Sequence, residues 1–345
     1  MKTKWIGIGI MICIVTFLSL YWMEKKDESS ATVQELPIQY FKEEPYIPLQ
    51  SMINYLQGSF HYDKVNRRLT MRVDHNSYEL TEKIPVVVKN GVYIPFQRDN
   101  ILYRNRQVYV PIDFMETVLN REVTLRADHA EVMPATASTS IDSIPAKKEM
   151  ITINEVKNKL SELSTPIHGA QADTYSSHLP GARRWYRNDF HEGLDWYGYS
   201  SGITISKKTP VYAMGNGKVV RVDHDYKGYD SEMQREADLA ICQTIGHTPQ
   251  YILDKLRGRQ VWIQYENGVQ ARFAHLSTVS NSLQVGDEVS NKTLIGLVGN
   301  SGTSGEVKQD QSETHLHVDL LVYNRLFWKG LTQEQVKEVI KTAFK

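Results

Sequence analysis

The sequence predicts a mainly β protein: an N-terminal transmembrane helix, then a small α+β domain, then a larger antiparallel β domain carrying a helical insertion. Three observations carry that expectation. Short runs with a period of two recur, such as Arg68-Leu69-Thr70-Met71-Arg72-Val73 and Glu122-Val123-Thr124-Leu125-Arg126, and this is the period of a half-buried strand. A β-branched and apolar run, His315-Leu316-His317-Val318-Asp319-Leu320-Leu321-Val322, reads as a strand. Between these regions the small, polar, proline-bearing stretch from Pro134 to about Lys148 reads as a linker.

A chain of 345 residues has room for about two domains, and its 23% charged and 41% apolar residues are those of an ordinary globular protein. Lysine plus arginine equals aspartate plus glutamate at 40 each, so no bulk field draws the chain to nucleic acid, and no nucleic-acid partner is expected.

Trp5 to Trp22 contains no charged residue. As a helix it spans about 27 Å, close to the hydrocarbon core of a bilayer. Trp5, Tyr21 and Trp22 stand at its ends, where an aromatic belt belongs. Leu20-Tyr21-Trp22-Met23 offers no small-residue cleavage site, so residues 1–23 read as a retained signal anchor. The expected location is a bacterial cell membrane, crossed once, with everything after Glu24 outside the cytoplasm. Cys13 lies in this run and Cys242 far from it, which gives no disulfide framework.

After a charged linker, 24–36, residues 37–133 hold short strands and a recurring motif: Tyr46-Ile47-Pro48, Tyr93-Ile94-Pro95 and Tyr109-Val110-Pro111. Two copies lead into helical runs, Leu49 to Leu56 and Ile112 to Leu119, and proline suits a helix start because its missing N–H is not needed there. This pattern resembles the stalk domain called copper amine oxidase N-terminal-like. His61, His75 and His129 are scattered singly, so no copper site is expected, and the domain reads as a spacer or wall-binding module. A helix follows the linker 134–150, over 151–164, with Ile153, Val156, Leu160 and Leu163 at helical spacing.

The chemistry gathers in residues 165–330. In the strand from His315, a period of two puts the imidazoles of His315 and His317 on one face. His191-Glu192-Gly193-Leu194-Asp195 adds a histidine and a carboxylate four residues apart, with Gly193 allowing a close backbone approach. Two imidazoles and one carboxylate make the three-ligand shell of catalytic zinc, with one position left for water. His275, in Ala274-His275-Leu276-Ser277, ends another strand pattern. Spacing alone does not say which histidine of the His315/His317 pair ligates.

These pieces, with Val211-Tyr212-Ala213-Met214-Gly215-Asn216-Gly217, Val285-Gly286-Asp287-Glu288-Val289 and Ile295-Gly296-Leu297-Val298-Gly299-Asn300-Ser301-Gly302, occur in an order that resembles the lysostaphin-type zinc metallopeptidases, over roughly residues 185–325. The resemblance implies an antiparallel β domain of the duplicated hybrid motif type, with one Zn2+ at the floor of a groove. It implies His191, Asp195 and His317 as the zinc ligands and His275 and His315 as the catalytic histidines. It also implies hydrolysis, by zinc-activated water, of peptide bonds in cell-wall peptidoglycan, which makes peptidoglycan and the membrane the expected partners. Zinc brings a water pKa down to about 7 and polarises the carbonyl. His315 is assigned the proton transfer and His275 the oxyanion, with Tyr186 a further oxyanion candidate. The alternative is a non-catalytic envelope or sporulation scaffold built on the same domain; the presence of all five residues favours the enzyme.

Three features depart from the family. Val318-Asp319 stands where Phe-Glu usually follows the second histidine, and the polar segment between Gly302 and His315 is long, an expected groove wall. The third is an insertion over 223–259. Within it Ser231 to Thr244 reads as a helix stopped by Gly246, and Thr248-Pro249 opens a second one to Leu256, ended by Gly258. This helical hairpin is expected to act as a lid or as a contact for an envelope protein partner, with His224 and His247 structural or exposed. The tail, 331–345, reads as a closing helix with Val336, Val339, Ile340 and Phe344 on one face and a Thr332/Gln335 capping box.

Overall fold

The structure is a computed structural model that describes residues 33–96, 100–133 and 151–344. The anchor expected over residues 1–23 and the linker 134–150 lie outside them. Among the described residues no helix is long and apolar enough to cross a membrane. The described chain is mainly β and divides into two compact units.

The first unit comprises the described residues of Met1–Ile47 and Ile112–Ser138. In it His129–Val132 pairs antiparallel with both Gln34–Pro37 and Val123–Leu125, and the short helix Asp113–Thr117 buries Phe114 and Met115.

The second unit joins Pro48–Pro111 to Thr139–Lys345. Residues 48–111, expected in the stalk, thus belong to the same compact unit as the histidine-rich half. Pro48 stands at the start of the helix Leu49–Tyr55, as its missing N–H permits. Five strands then form an antiparallel meander in chain order: β1 (Ser59–Asp63), β2 (Arg68–Val73), β3 (Asn76–Thr81), β4 (Val86–Lys89) and β5 (Val92–Pro95). Leu69, Met71 and Val73 are buried while Arg68 and Arg72 are exposed, as the alternation requires. Asn90-Gly91, both at positive φ, makes the tight β4–β5 turn. β4 starts two residues later than the apolar run from Ile84, because Pro85 has no N–H to give a ladder.

The histidine-rich half is built on a sheet whose hydrogen-bonded order is β6 (Leu194–Tyr197), β11 (His315–Val322), β9 (Val269–Ala274), β8 (Val261–Tyr265), β7 (Gly217–Val222) and β10 (Glu288–Val289). Every pairing is antiparallel. All eight residues of β11 are buried, so its alternation separates two environments rather than core from water. Leu316, Val318, Leu320 and Val322 enter the main core with Trp196, Val261, Ile263 and Phe273. Helices α1 (Ile153–Ser161) and α4 (Gln333–Ala343) close that core, through Val156 and Leu160 and through Val336, Val339 and Ile340. Thr332 caps α4 in a reciprocal capping box with Gln335.

His315, His317 and Asp319 stand on the opposite face of β11, with Arg272 of β9 directly across from Asp319. The meander covers part of this face: Ile84, Val86 and Tyr93 pack with Val220 and Trp262, Gln270 Nε2 donates to Gly91 O at 2.8 Å, and Arg272 Nε donates to Tyr93 Oη at 3.0 Å.

The insertion forms α2 (Glu232–Ile245) and α3 (Gln250–Arg257). Ser231 caps α2 through its hydroxyl, and Gly246 ends it at φ 83°, the left-handed conformation that favours glycine. Leu239, Cys242, Tyr251, Ile252 and Leu256 make a small core between the helices. His224 Nε2 reaches Leu283 O at 2.8 Å and His247 Nε2 reaches Asn66 Oδ1 at 2.8 Å, so both serve as structural bridges.

Candidate metal centre

His191 follows a two-residue strand, Asp189–Phe190, and Asp195 is the second residue of β6. The β6–β11 register sets Asp195 opposite His317, which is what unites two segments 122 positions apart in the chain. His191 Nε2 lies 3.1 Å from His317 Nδ1 and 3.2 Å from Asp195 Oδ1, and His317 Nδ1 lies 2.9 Å from the same oxygen. All three residues are buried. Among the described residues this is the one group of three or more such side chains with ligand atoms close enough to hold a metal ion.

The outer nitrogens decide what the inner ones offer. His191 Nδ1 donates to Leu179 O at 3.3 Å, and His317 Nε2 donates to Asp319 Oδ1 at 2.7 Å. With those protons fixed, the neutral rings turn two nitrogen lone pairs towards each other and towards the Asp195 carboxylate. Three acceptors about 3 Å apart repel unless a cation lies among them, so the donor set fits a divalent metal such as zinc. The charges agree. Burial opposes ionisation of Asp195, but His191 and His315 outweigh it and hold its carboxyl well below the usual range. Burial also lowers His191, whereas in His317 it is outweighed by the bonds to Asp195 and Asp319, which push this imidazole up to about 9.

Gly193 is needed for this geometry. A Cβ there would stand 2.2 Å from Val318 O. Gly193→Ala therefore pushes the His191–Asp195 segment off β11, and we expect a cost of about 1–3 kcal/mol in a denaturant titration together with weaker metal binding; unchanged stability and metal content would show that the approach is not constrained.

His315 and His275 stand beside the cluster. Their ring centroids are 4.7 Å apart, His275 is 5.7 Å from His317, and His315 Nε2 is 3.7 Å from Asp195 Oδ1. His315 Nδ1 donates to Glu313 O at 2.6 Å and His275 Nδ1 to Ser301 O at 2.7 Å, so both present Nε2 as an acceptor when neutral. Burial lowers both imidazoles, His275 further because of its histidine neighbours. His275 has φ 59°, and its N–H donates to Arg257 O. Tyr186 sits in a 3-10 turn, 52% exposed, with its ring 6.0 Å from the Arg187 guanidinium.

The support behind the cluster was not legible in the sequence. Arg257, the last residue of α3, places Nη2 2.6 Å from Asp319 Oδ2, and Asp319 holds His317. Both charged residues are buried, at 3% and 0% exposure. The shorter Asp319 and the inserted helix are thus two parts of one device. Burial works against the Asp319 charge, but Arg257 and His317 outweigh it and hold the carboxyl low. A second arginine, Arg187, grips Glu192 next to His191 at 2.6 and 3.1 Å and also reaches Thr248 at the start of α3.

Residues 190–327 match the model of Peptidase family M23. The chain carries a peptidase M23 domain. Ahead of it, residues 26–133 match the Copper amine oxidase N-terminal domain model. The M23 domain contains all five histidines and carboxylates of the centre and its flank, from His191 to His317. Solved structures similar to the chain include a zinc-containing peptidase from Vibrio cholerae, 13% identical, covering 75% of this chain and 48% of that one at TM-score 0.30. The catalytic domain of lysostaphin from Staphylococcus simulans is 21% identical, covering 42% and 73% at TM-score 0.24. A mutant catalytic domain of the prophage-encoded M23 protein EnpA from Enterococcus faecalis is 19% identical, covering 47% and 91% at TM-score 0.28. The chain spans about half the length of the Vibrio protein. Comparison with curated proteins gives no match.

Proposed function

We propose that the chain is a membrane-anchored zinc metalloendopeptidase that hydrolyses peptide bonds of peptidoglycan, with His191, Asp195 and His317 holding the ion. The observation that carries the reading is the convergence of two imidazoles, each ring held by a bond behind it, and a carboxylate oxygen inside an M23 domain. When bound, zinc supplies a Lewis acid for the scissile carbonyl and lowers the pKa of a water to about 7.

The protein's own groups do the rest. His315, locked by Glu313 O and with Nε2 3.7 Å from Asp195 Oδ1, takes a proton from the attacking water through Nε2 and passes it to the leaving amine. His275, oriented by Ser301 O through Nδ1, stabilises the developing oxyanion in its protonated form, in which Nε2 donates. Residues 5–22 anchor the chain, so hydrolysis is confined to wall within reach of the membrane. The outer face of the helical hairpin, where Met233 is 82% exposed and Ile241 40%, is available to an envelope partner.

The test is zinc content, and new amino termini released from purified peptidoglycan, for wild type and His315→Ala. About one zinc per chain in both proteins, with cleavage by wild type and a loss of about 100-fold or more in the variant, is the expected result. A folded wild type with neither zinc nor cleavage would overturn the enzyme in favour of a scaffold.

A further inference from the structure

Exposed aromatic side chains are concentrated beside the metal centre. Among the described residues the exposed aromatics are Tyr40 and then Tyr175, Trp185, Tyr186, Phe190 and Tyr199, so all but one fall within 25 positions that also contain His191 and Asp195. Apolar surface left in water so locally marks a place that meets another molecule.

Three of the tyrosines form a row that begins at the proposed catalytic histidine. Tyr197 stacks on His315 with centroids 4.4 Å apart and planes 15° from parallel. Tyr199 stacks on Tyr197 at 5.0 Å and 23°, and Tyr175 lies beside Tyr199 at 6.5 Å and 16°. The two outer rings are exposed, Tyr199 by 65% and Tyr175 by 57%.

The row is held in place from below. Asp173, 1% exposed, accepts from Tyr175 N at 2.8 Å, His178 Nδ1 at 2.7 Å and Ser200 Oγ at 2.8 Å, and its own N–H donates to Asp195 O at 2.9 Å. One buried carboxylate therefore ties both tyrosine segments to the strand that carries Asp195. Rings ordered in advance lose little entropy when they bind.

We propose that Tyr175, Tyr197 and Tyr199 form a stacking subsite for the pyranose rings of a glycan strand. The chemistry of the two segments selects that occupant. Each outer tyrosine is followed by two serines; Ser176 and Ser177 are exposed while Ser200 is bound to Asp173 and Ser201 is buried, so the free hydroxyls come from the Tyr175 segment, and no exposed aliphatic side chain intervenes. A sugar presents the complement: a face of weakly positive C–H groups for the negative face of the ring, and an edge of hydroxyls for serine and histidine. An apolar protein segment has no use for the polar edge. The inference rests on the proposed function, since it places the glycan of peptidoglycan beside the centre that cuts its peptides.

The test titrates a β-1,4-linked N-acetylglucosamine tetramer into the full chain by calorimetry, for wild type, Tyr199→Ala, Tyr175→Ala and Tyr199→Phe. It is paired with kcat/KM for a stem peptide carried on glycan and for the same peptide free. The subsite predicts tetramer binding weakened about tenfold or more by either alanine and retained by Tyr199→Phe, which keeps the ring. It also predicts a preference for the glycan-borne peptide that falls in parallel. Equal binding by wild type and both alanine variants, or no binding by wild type, overturns it. Binding needs no hydrolysis, so a protein that binds the tetramer without cutting peptidoglycan overturns the proposed function alone, and one that cuts without binding overturns the subsite alone.

Discussion

Replacing His317 with alanine is expected to take the protein from about one zinc per chain to none and to abolish the release of amino termini from peptidoglycan. His317 is the hub of the centre: Nδ1 lies 2.9 Å from Asp195 Oδ1 and 3.1 Å from His191 Nε2, and Nε2 donates to Asp319 at 2.7 Å. Without it two ligands remain, one short of a catalytic zinc shell. The buried Asp319 loses its imidazole but keeps Arg257, so the fold should survive and the loss should be specific to the metal. Metal analysis alongside a circular dichroism spectrum checks this; a folded His317→Ala protein that retains zinc at the wild-type level would remove His317 from the ligand set.

Arg257→Ala should cost the most stability of any single change around the site. It leaves the Asp319 carboxylate, 0% exposed, without its guanidinium, and removing one partner of a buried ion pair costs about 3–5 kcal/mol. Losing such support behind a ligating histidine typically weakens metal binding about 10–100-fold. Both effects are measurable, the first in a denaturant titration and the second by competition with a chelator. Arg257→Lys keeps the charge without the planar fork and should fall between wild type and alanine. The double change Arg257→Ala with Asp319→Asn should recover part of the stability, because no charge is then left unpaired. If Arg257→Ala matches wild type in midpoint and zinc affinity, the link from the insertion to the centre has no energetic weight.

Much of the architecture is written in short stretches. The apolar run of β11 and its period of two place His315 and His317 on one face before any partner is known. Ser231 and Gly246 bracket α2, and Thr332 with Gln335 opens α4, because caps satisfy the ends of a helix from residues within a few positions. Gly193 is legible as a point of close approach, and the residue set His191, Asp195, His275, His315 and His317 is legible as motif. Which surface that glycine approaches is not.

What the tertiary structure decided is pairing over distance. The register that sets Asp195 against His317, the arrival of Arg257 behind Asp319, and the union of residues 48–111 with the histidine-rich half all join segments far apart in the chain. The row from His315 to Tyr175 likewise joins three segments, through a buried aspartate that no local pattern distinguishes from a surface one. Hydrophobic period and capping act over a few residues and so can be read from the chain alone. Charge pairing and ring stacking depend on distances that exist only after the sheet has chosen its register.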